Sequence, residues 1–144
     1  MNKGKKLEKD VKTFLKHNAY FFHQFTDSFA SRNFSQPVPA DFIIWPTKGS
    51  SMLLECKESQ TERVSLSAFR PKQFKAMRQT LKVKNCNYYV LINYNRSYYL
   101  IGAETILNIL DSDEKSIHLE DGFLAISAIN QAMVMLMADN VSEL

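Results

Sequence analysis

Apolar residues recur with a helical period at the start of the chain, and the period shortens soon after. Between Asn2 and Lys16, the side chains of Leu7, Val11, Phe14 and Leu15 fall on one arc of about 100° if each residue turns about 100°. Lys3, Lys5, Lys6, Lys9, Asp10, Lys12 and Lys16 mostly cover the remaining surface, and Glu8 sits at the rim of the apolar arc. This predicts an amphipathic helix. Tyr20 to Phe25 then reads as a strand with Tyr20, Phe22 and Gln24 on one face, and Thr26 to Pro39, rich in Ser, Asn, Gln and Pro, as a loop. Two β-prone runs, Ala40 to Trp45 and Met52 to Glu58, flank Pro46 to Ser51 and predict a hairpin.

Ser59 to Ser67 reads as a polar crossing. Pro71 suits the first turn of a helix, where its missing N–H is no loss. Phe74, Met77 and Leu81 carry that helix to about Lys82 with an apolar face inward. Asn87 to Asn93 is an unbroken apolar run between polar residues, the mark of a strand covered on both faces. A turn at Tyr94-Asn95-Arg96 leads into a strand from Ser97 to Ile101. A short helix over Ala103 to Leu110, a last strand over Ser116 to Leu119 and a helix over Leu124 to Met137 complete the order. The stripe Ile126, Ile129, Met133 and Leu136 on that final helix is core or a subunit contact. The order predicts an α/β fold, a central mixed β-sheet flanked by helices.

At 144 residues the chain is long enough for a core of its own, and a single domain spanning 1–144 is expected. A net charge of +3 implies no particular partner; local clustering matters more. Cys56 and Cys86 form no CxxC pair, and His17, His23 and His118 share no motif, so neither zinc nor a disulfide framework is supported. Two free thiols suit a reducing cytoplasm. The basic N-terminus lacks the apolar run of a signal peptide. The most apolar stretch, Phe123 to Ala138, is interrupted by Ser127, Asn130 and Gln131 and is too short to span a bilayer, so no membrane partner is expected. Tyr88, Tyr89, Tyr98 and Tyr99 read as strand residues in or near the core rather than as base-stacking groups.

The hairpin carries the candidate chemistry. Side chains alternate along a strand, so Glu55 and Lys57 point the same way, and Asp41 at the start of the partner strand can reach that face. Two carboxylates and an ammonium converging beside an apolar sheet are costly to desolvate unless they pair or hold a cation. A hard cation such as Mg²⁺ takes carboxylate and carbonyl oxygens plus waters. On these residues alone, a salt-bridged strand on a solvated face remains the alternative. A second feature is the interval from Arg63 to Lys84. It holds Arg63, Arg70, Lys72, Lys75, Arg78, Lys82 and Lys84 and no acid. Cations without compensating carboxylates make sense beside phosphates, where each contact releases counterions.

Asp41, with Glu55-Cys56-Lys57 fourteen residues on, resembles the Asp…(Asp/Glu)-X-Lys signature of the PD-(D/E)XK nuclease superfamily. Asn2-Lys3-Gly4 followed by Leu7-Glu8 is similar to the opening of the RecU family of Holliday-junction resolvases. Leu66, Phe69 and Pro71-Lys72-Gln73 resemble that family's Leu…Phe…His-Gln segment, with Lys72 in place of the histidine. On the residues alone Glu8 reads as an edge residue reaching water and Gln73 as an exposed helix glutamine. The resemblance implies instead that Glu8 is a third carboxylate of a metal site and that Gln73 orients water or phosphate. Relatives carry a longer basic projection in the region of Asn18 to Pro39, where this chain has only Arg32, offset by Asp27.

The resemblance covers roughly Asn2 to Leu119 and leaves the tail from Glu120 unexplained. It implies a restriction-endonuclease-like core and phosphodiester hydrolysis. Glu8, Asp41, Glu55 and the backbone carbonyl of Cys56 would hold Mg²⁺, or Mn²⁺ in its stead. Lys57 and Gln73 would assist, and Lys3, Arg63, Arg70, Lys72, Lys75 and Arg78 would contact DNA. It further implies branched DNA, a four-way junction, as substrate, cut symmetrically by a homodimer in the cytoplasm of a bacterium or a phage-infected host. A nuclease of the same core acting on flaps, ends or single strands is the alternative. A DNA-binding module without catalysis and a protein that binds no nucleic acid are further ones.

Overall fold

The computed structural model describes residues 3–26 and 38–138. Most of the interval read as a loop, including Asp27 and Arg32, lies outside the described residues. Helix α1 (Lys3–His17) buries Leu7, Val11, Phe14 and Leu15, the four residues of the apolar arc. Four strands follow: β1 (Phe21–Gln24), β2 (Phe42–Trp45), β3 (Ser51–Glu58) and the short β4 (Arg63–Ser65). A single 3-10 turn at Leu66–Ala68 leads into α2 (Pro71–Thr80). The chain continues through β5 (Cys86–Tyr94), β6 (Ser97–Gly102), α3 (Ala103–Leu110), β7 (Ser116–His118) and α4 (Ile129–Met137).

The main sheet has five strands in the order β1-β2-β3-β5-β6, and β4 pairs with β7 in a small second sheet. β3 and β5 run parallel, while the other neighbours are antiparallel. A parallel pair needs a crossover, and the segment holding β4 and α2 supplies it. The fold is thus the α/β arrangement expected, with a mixed sheet between helices. On one face, Leu7, Val11, Leu15, Leu54, Cys56 and Met133 form a core beneath α1 and α4. On the other, Phe69, Met77, Tyr88, Val90, Ile101 and Ile106 form a second core beneath α2 and α3. Tyr88 and Tyr99 are buried strand residues, in keeping with the core reading. Among the described residues no helix is long and apolar enough to cross a membrane.

Three details differ from the expectations. Ser59 to Ser67 is not only a crossing. Val64 alternates inward between two exposed neighbours and makes β4 with β7, a pattern too short to stand out in a polar stretch. Helix α2 ends at Thr80, so Leu81 becomes its cap and is 54% exposed rather than core. Inward positions on α2 are Gln73, Ala76, Met77 and Thr80. Finally, α4 starts at Ile129 rather than Leu124. Ile126 is buried, but in an extended bridge to Tyr98, with each residue's N–H donating to the other's carbonyl.

Candidate active site

β2 is much shorter than β3, and the site forms where it gives out. Phe42 pairs with Leu54, and beyond that point no strand among the described residues pairs with β3 on this side. The backbone N–H of Cys56 therefore needs another acceptor. Asp41 supplies it: the Cys56 N–H donates to Asp41 Oδ2 at 2.8 Å, while the Asp41 N–H donates to the Leu54 carbonyl at 3.1 Å. The Phe25 N–H donates to the Asp41 carbonyl at 2.8 Å. Two residues upstream, the Tyr88 hydroxyl donates to the Pro39 carbonyl at 2.6 Å and ties the approach to Asp41 into the second core.

Glu55 projects from β3 toward α2 and is only 5% exposed. Its Oε2 lies 3.4 Å from the Lys57 ammonium, and among the described residues its buried Oε1 has no hydrogen-bond partner. The same ammonium donates to the Ala68 carbonyl at 2.8 Å and stands 4.9 Å from the centre of the Phe69 ring. The turn before α2 thus seats Lys57 from below, by a charged hydrogen bond and a cation–π contact. Gln73 is buried rather than exposed. Its Oε1 accepts the Arg70 N–H at 2.9 Å, closing the first turn of α2 and holding the side chain inward.

Glu8 of α1, Asp41, Glu55, Gln73 and Arg70 line one cleft of about 640 Å³. The half-buried Glu8 accepts from Gln24 Nε2 at 3.4 Å. Of the other sequence candidates, Cys56 lies here through its backbone only; its thiol belongs to the core beneath α1. Lys3 lines a separate cleft with Lys6, Glu58 and Arg96. Lys72 and Lys75 are exposed on α2, and Arg63 is exposed on β4. Arg78 is paired with Asp111, the residue that caps the end of α3, Nη2 to Oδ1 at 2.9 Å. The basic stretch is therefore not wholly without acids. Its compensating carboxylate comes from 33 residues away, where no local charge count finds it. Sequence reasoning passed over Gln24, Lys5, Lys9 and Lys12, which also line the cleft. The spacing of the three lysines sets them on one flank of α1, but only the tertiary fold brings that flank, and Gln24, to the acids.

Burial, and then the neighbouring Glu55, push the Asp41 carboxyl up to about 7, while the Cys56 N–H works the other way. Burial also raises Glu55, against the Lys57 ammonium beside it. Glu8 is raised by burial and by Asp41. Burial thus makes the charged form of both carboxyls costly, and a bound cation would offset that cost. The donor set suits a hard divalent ion: carboxylate oxygens of Asp41 and Glu55, one of them an orphaned buried atom, beside the Cys56 backbone. Among the described residues no three His, Cys, Asp or Glu side chains are close enough to form a ready-made cage. Glu8 shares the cleft without closing on the other two.

These shifts have a sign. Both pKa values of the pair lie above those of the unfolded chain, so the folded, metal-free protein binds more protons. The pair's contribution to stability is full below about pH 4 and is lost as pH rises through about 7, where Asp41 titrates. Asp41→Asn keeps an acceptor for the Cys56 N–H and removes that titration. In chelator at pH 7.5 it is expected to melt roughly 3 to 6 °C above wild type, with the gap closing near pH 4. Thermal melts across pH check this, and a variant that melts below wild type at pH 7.5 would contradict it.

Fold and site together define a class: a mixed α/β sheet between helices, with an acid pair and a lysine at the end of a strand pair. The family is equally plain. Residues 22–137 match the family described as Recombination protein U, and the chain belongs to it. The fold is similar to that of Hjc, a Holliday junction resolvase from the archaeal hyperthermophile Archaeoglobus fulgidus. The TM-score is 0.58 and the identity 13%, over 88% of this chain and 99% of that one. No curated protein matches the sequence.

Proposed function

We propose that this protein is a divalent-metal-dependent endonuclease that resolves four-way DNA junctions. The observation that carries the reading is the buried Asp41–Glu55 pair with the Lys57 ammonium 3.4 Å from Glu55, in a chain of the RecU family. Hjc, which shares the fold, is itself a Holliday junction resolvase. In this reading Asp41 and Glu55 would hold the ion with the Cys56 carbonyl, and Glu8 would supply a third carboxylate from α1. Mg²⁺ is the ion proposed, and Mn²⁺ can replace it. When bound, the ion polarises a phosphoryl oxygen and lowers the pKa of a water. Lys57 orients the attacking water and stabilises the negative charge that builds on the phosphoryl oxygens as water adds, its proton passes to solvent, and one P–O ester bond breaks with the leaving oxygen taking up a proton. Gln73 holds the water or a phosphate oxygen. Arg70 at the cleft, with Lys72 and Lys75 on the exposed face of α2, grips the backbone without reading sequence.

Symmetric paired nicks require two such sites, so the working unit is a homodimer, acting in the cytoplasm of a bacterium or a phage-infected cell. The test is a labelled four-way junction beside a linear duplex of the same sequence, each with Mg²⁺, using wild type and Glu55→Gln. Paired nicks at the junction by wild type alone are expected. Equal cutting of both substrates would leave a nuclease without junction specificity. Tight junction binding with no cutting in Mg²⁺ or Mn²⁺ would reduce the protein to a binding module.

A further inference from the structure

The cleft has a second wall. Lys5, Lys9 and Lys12 line it from α1, beside Glu8 and across from Arg70. They recur at intervals of four and three residues, one stripe along the helix. The opposite flank of α1 is different: Lys6 is paired with Asp10 at 2.8 Å. On the cleft side the only carboxylate of the helix is Glu8, which accepts from Gln24. Among the described residues neither Lys9 nor Lys12 has an ion-pair partner. A solvated helix face of this length would be expected to alternate its signs along the stripe as it does on the other flank.

We infer that the α1 stripe Lys5–Lys9–Lys12 is the main track for the DNA backbone beside the site, with Arg70 on the facing wall. The inference rests on the proposed function and names the surface by which that same site holds its substrate. Charge supports it. Four cations and three carboxylates line the cleft, so a divalent ion bound to the acids leaves it strongly positive. Metal and polyanion then favour each other at this site. The stripe rises about 10 Å along the helix, comparable to about three nucleotides of one strand at roughly 3.4 Å each. Its contacts are to phosphates, which every DNA structure offers. The stripe therefore supplies affinity and strand position, and leaves branch recognition to other parts of the molecule.

The test measures binding in Ca²⁺ to a four-way junction and to a linear duplex, across a range of salt. The proteins are wild type, the triple variant Lys5→Gln, Lys9→Gln, Lys12→Gln, the corresponding triple change to Arg, and Lys6→Gln. The Gln triple is expected to weaken binding at least about tenfold at moderate salt, by the same factor on both substrates. It should also flatten the slope of log K against log salt by roughly 2 to 3. The Arg triple should restore the wild-type slope, and Lys6→Gln should stay within about twofold of wild type. A wild type that binds with a steep slope beside a Gln triple that keeps it would overturn the inference and leave the proposed function standing. Loss on the junction alone, with duplex binding intact, would also overturn it. A wild type without affinity for either DNA would sink both.

Discussion

Asp41→Asn or Glu55→Gln is expected to lower cleavage by about 10³-fold or more while leaving DNA binding in Ca²⁺ within a few-fold of wild type. Each change removes one carboxylate of the proposed ligand pair but keeps its shape and a polar acceptor. Asp41→Asn retains an oxygen for the Cys56 N–H, which wild type holds at 2.8 Å. The fold should therefore survive, and so should the cationic walls. What goes is charge: a single remaining carboxylate holds a divalent ion poorly, and the stabilisation that the ion gives the transition state, several kcal/mol, goes with it. Single-turnover cleavage of a labelled junction, paired with a binding titration, separates the two quantities. A variant that cuts at the wild-type rate would show that the acid pair is structural.

The second large effect is at Lys57. Lys57→Met keeps the length and apolar stem of the side chain and removes the ammonium. A loss of about 10² to 10³-fold in kcat is expected, the range typical when one preorganised group facing developing charge is removed, with little change in substrate affinity. The seat beneath the ammonium makes a finer test available. Phe69 is 5% exposed and its ring centre lies 4.9 Å from Lys57 Nζ. Phe69→Leu keeps a large apolar side chain but removes the π-face, worth about 1 kcal/mol in such a contact, so roughly a fivefold fall in kcat is expected. In a Lys57→Met background the same change should have almost no further effect on rate. If Phe69→Leu slows both backgrounds equally, the ring serves packing alone.

The helices and the order of strands were legible because long apolar periods report which face is covered. Leu7, Val11, Phe14 and Leu15 could be placed on one buried arc from their spacing. The unbroken run of β5 likewise marked a strand inside the sheet. Boundaries were less legible, since a cap or a bridge is a matter of single contacts. Leu81 continues the apolar period of α2 yet sits past its end, and Ile126 belongs by spacing to α4 but pairs with Tyr98 instead. At the site, the hairpin put Asp41, Glu55 and Lys57 within reach of one another from alternation alone. Gln73 could not be ranked that way, because its burial depends on the capping bond to Arg70 and on the neighbouring sheet. Arg78 looked like one more phosphate-facing cation, and only the tertiary fold brings Asp111 to it. The lysines of α1 were visible throughout, but nothing local says that one flank of that helix borders the acids.

The shortness of β2 has a consequence for how the two sides of the molecule communicate. A sheet is a partition, and here it keeps two separate cores apart. Glu8 comes from one side of that partition, Glu55 and Gln73 from the other. They can share a cleft because β2 stops at Phe42 and leaves a window beside the second half of β3, framed by Asp41. The size of the window is therefore set by strand length rather than by any single side chain. Extending the β2 ladder by one more pair of residues would brick it up, leaving each acid in place on its own side with nothing to share.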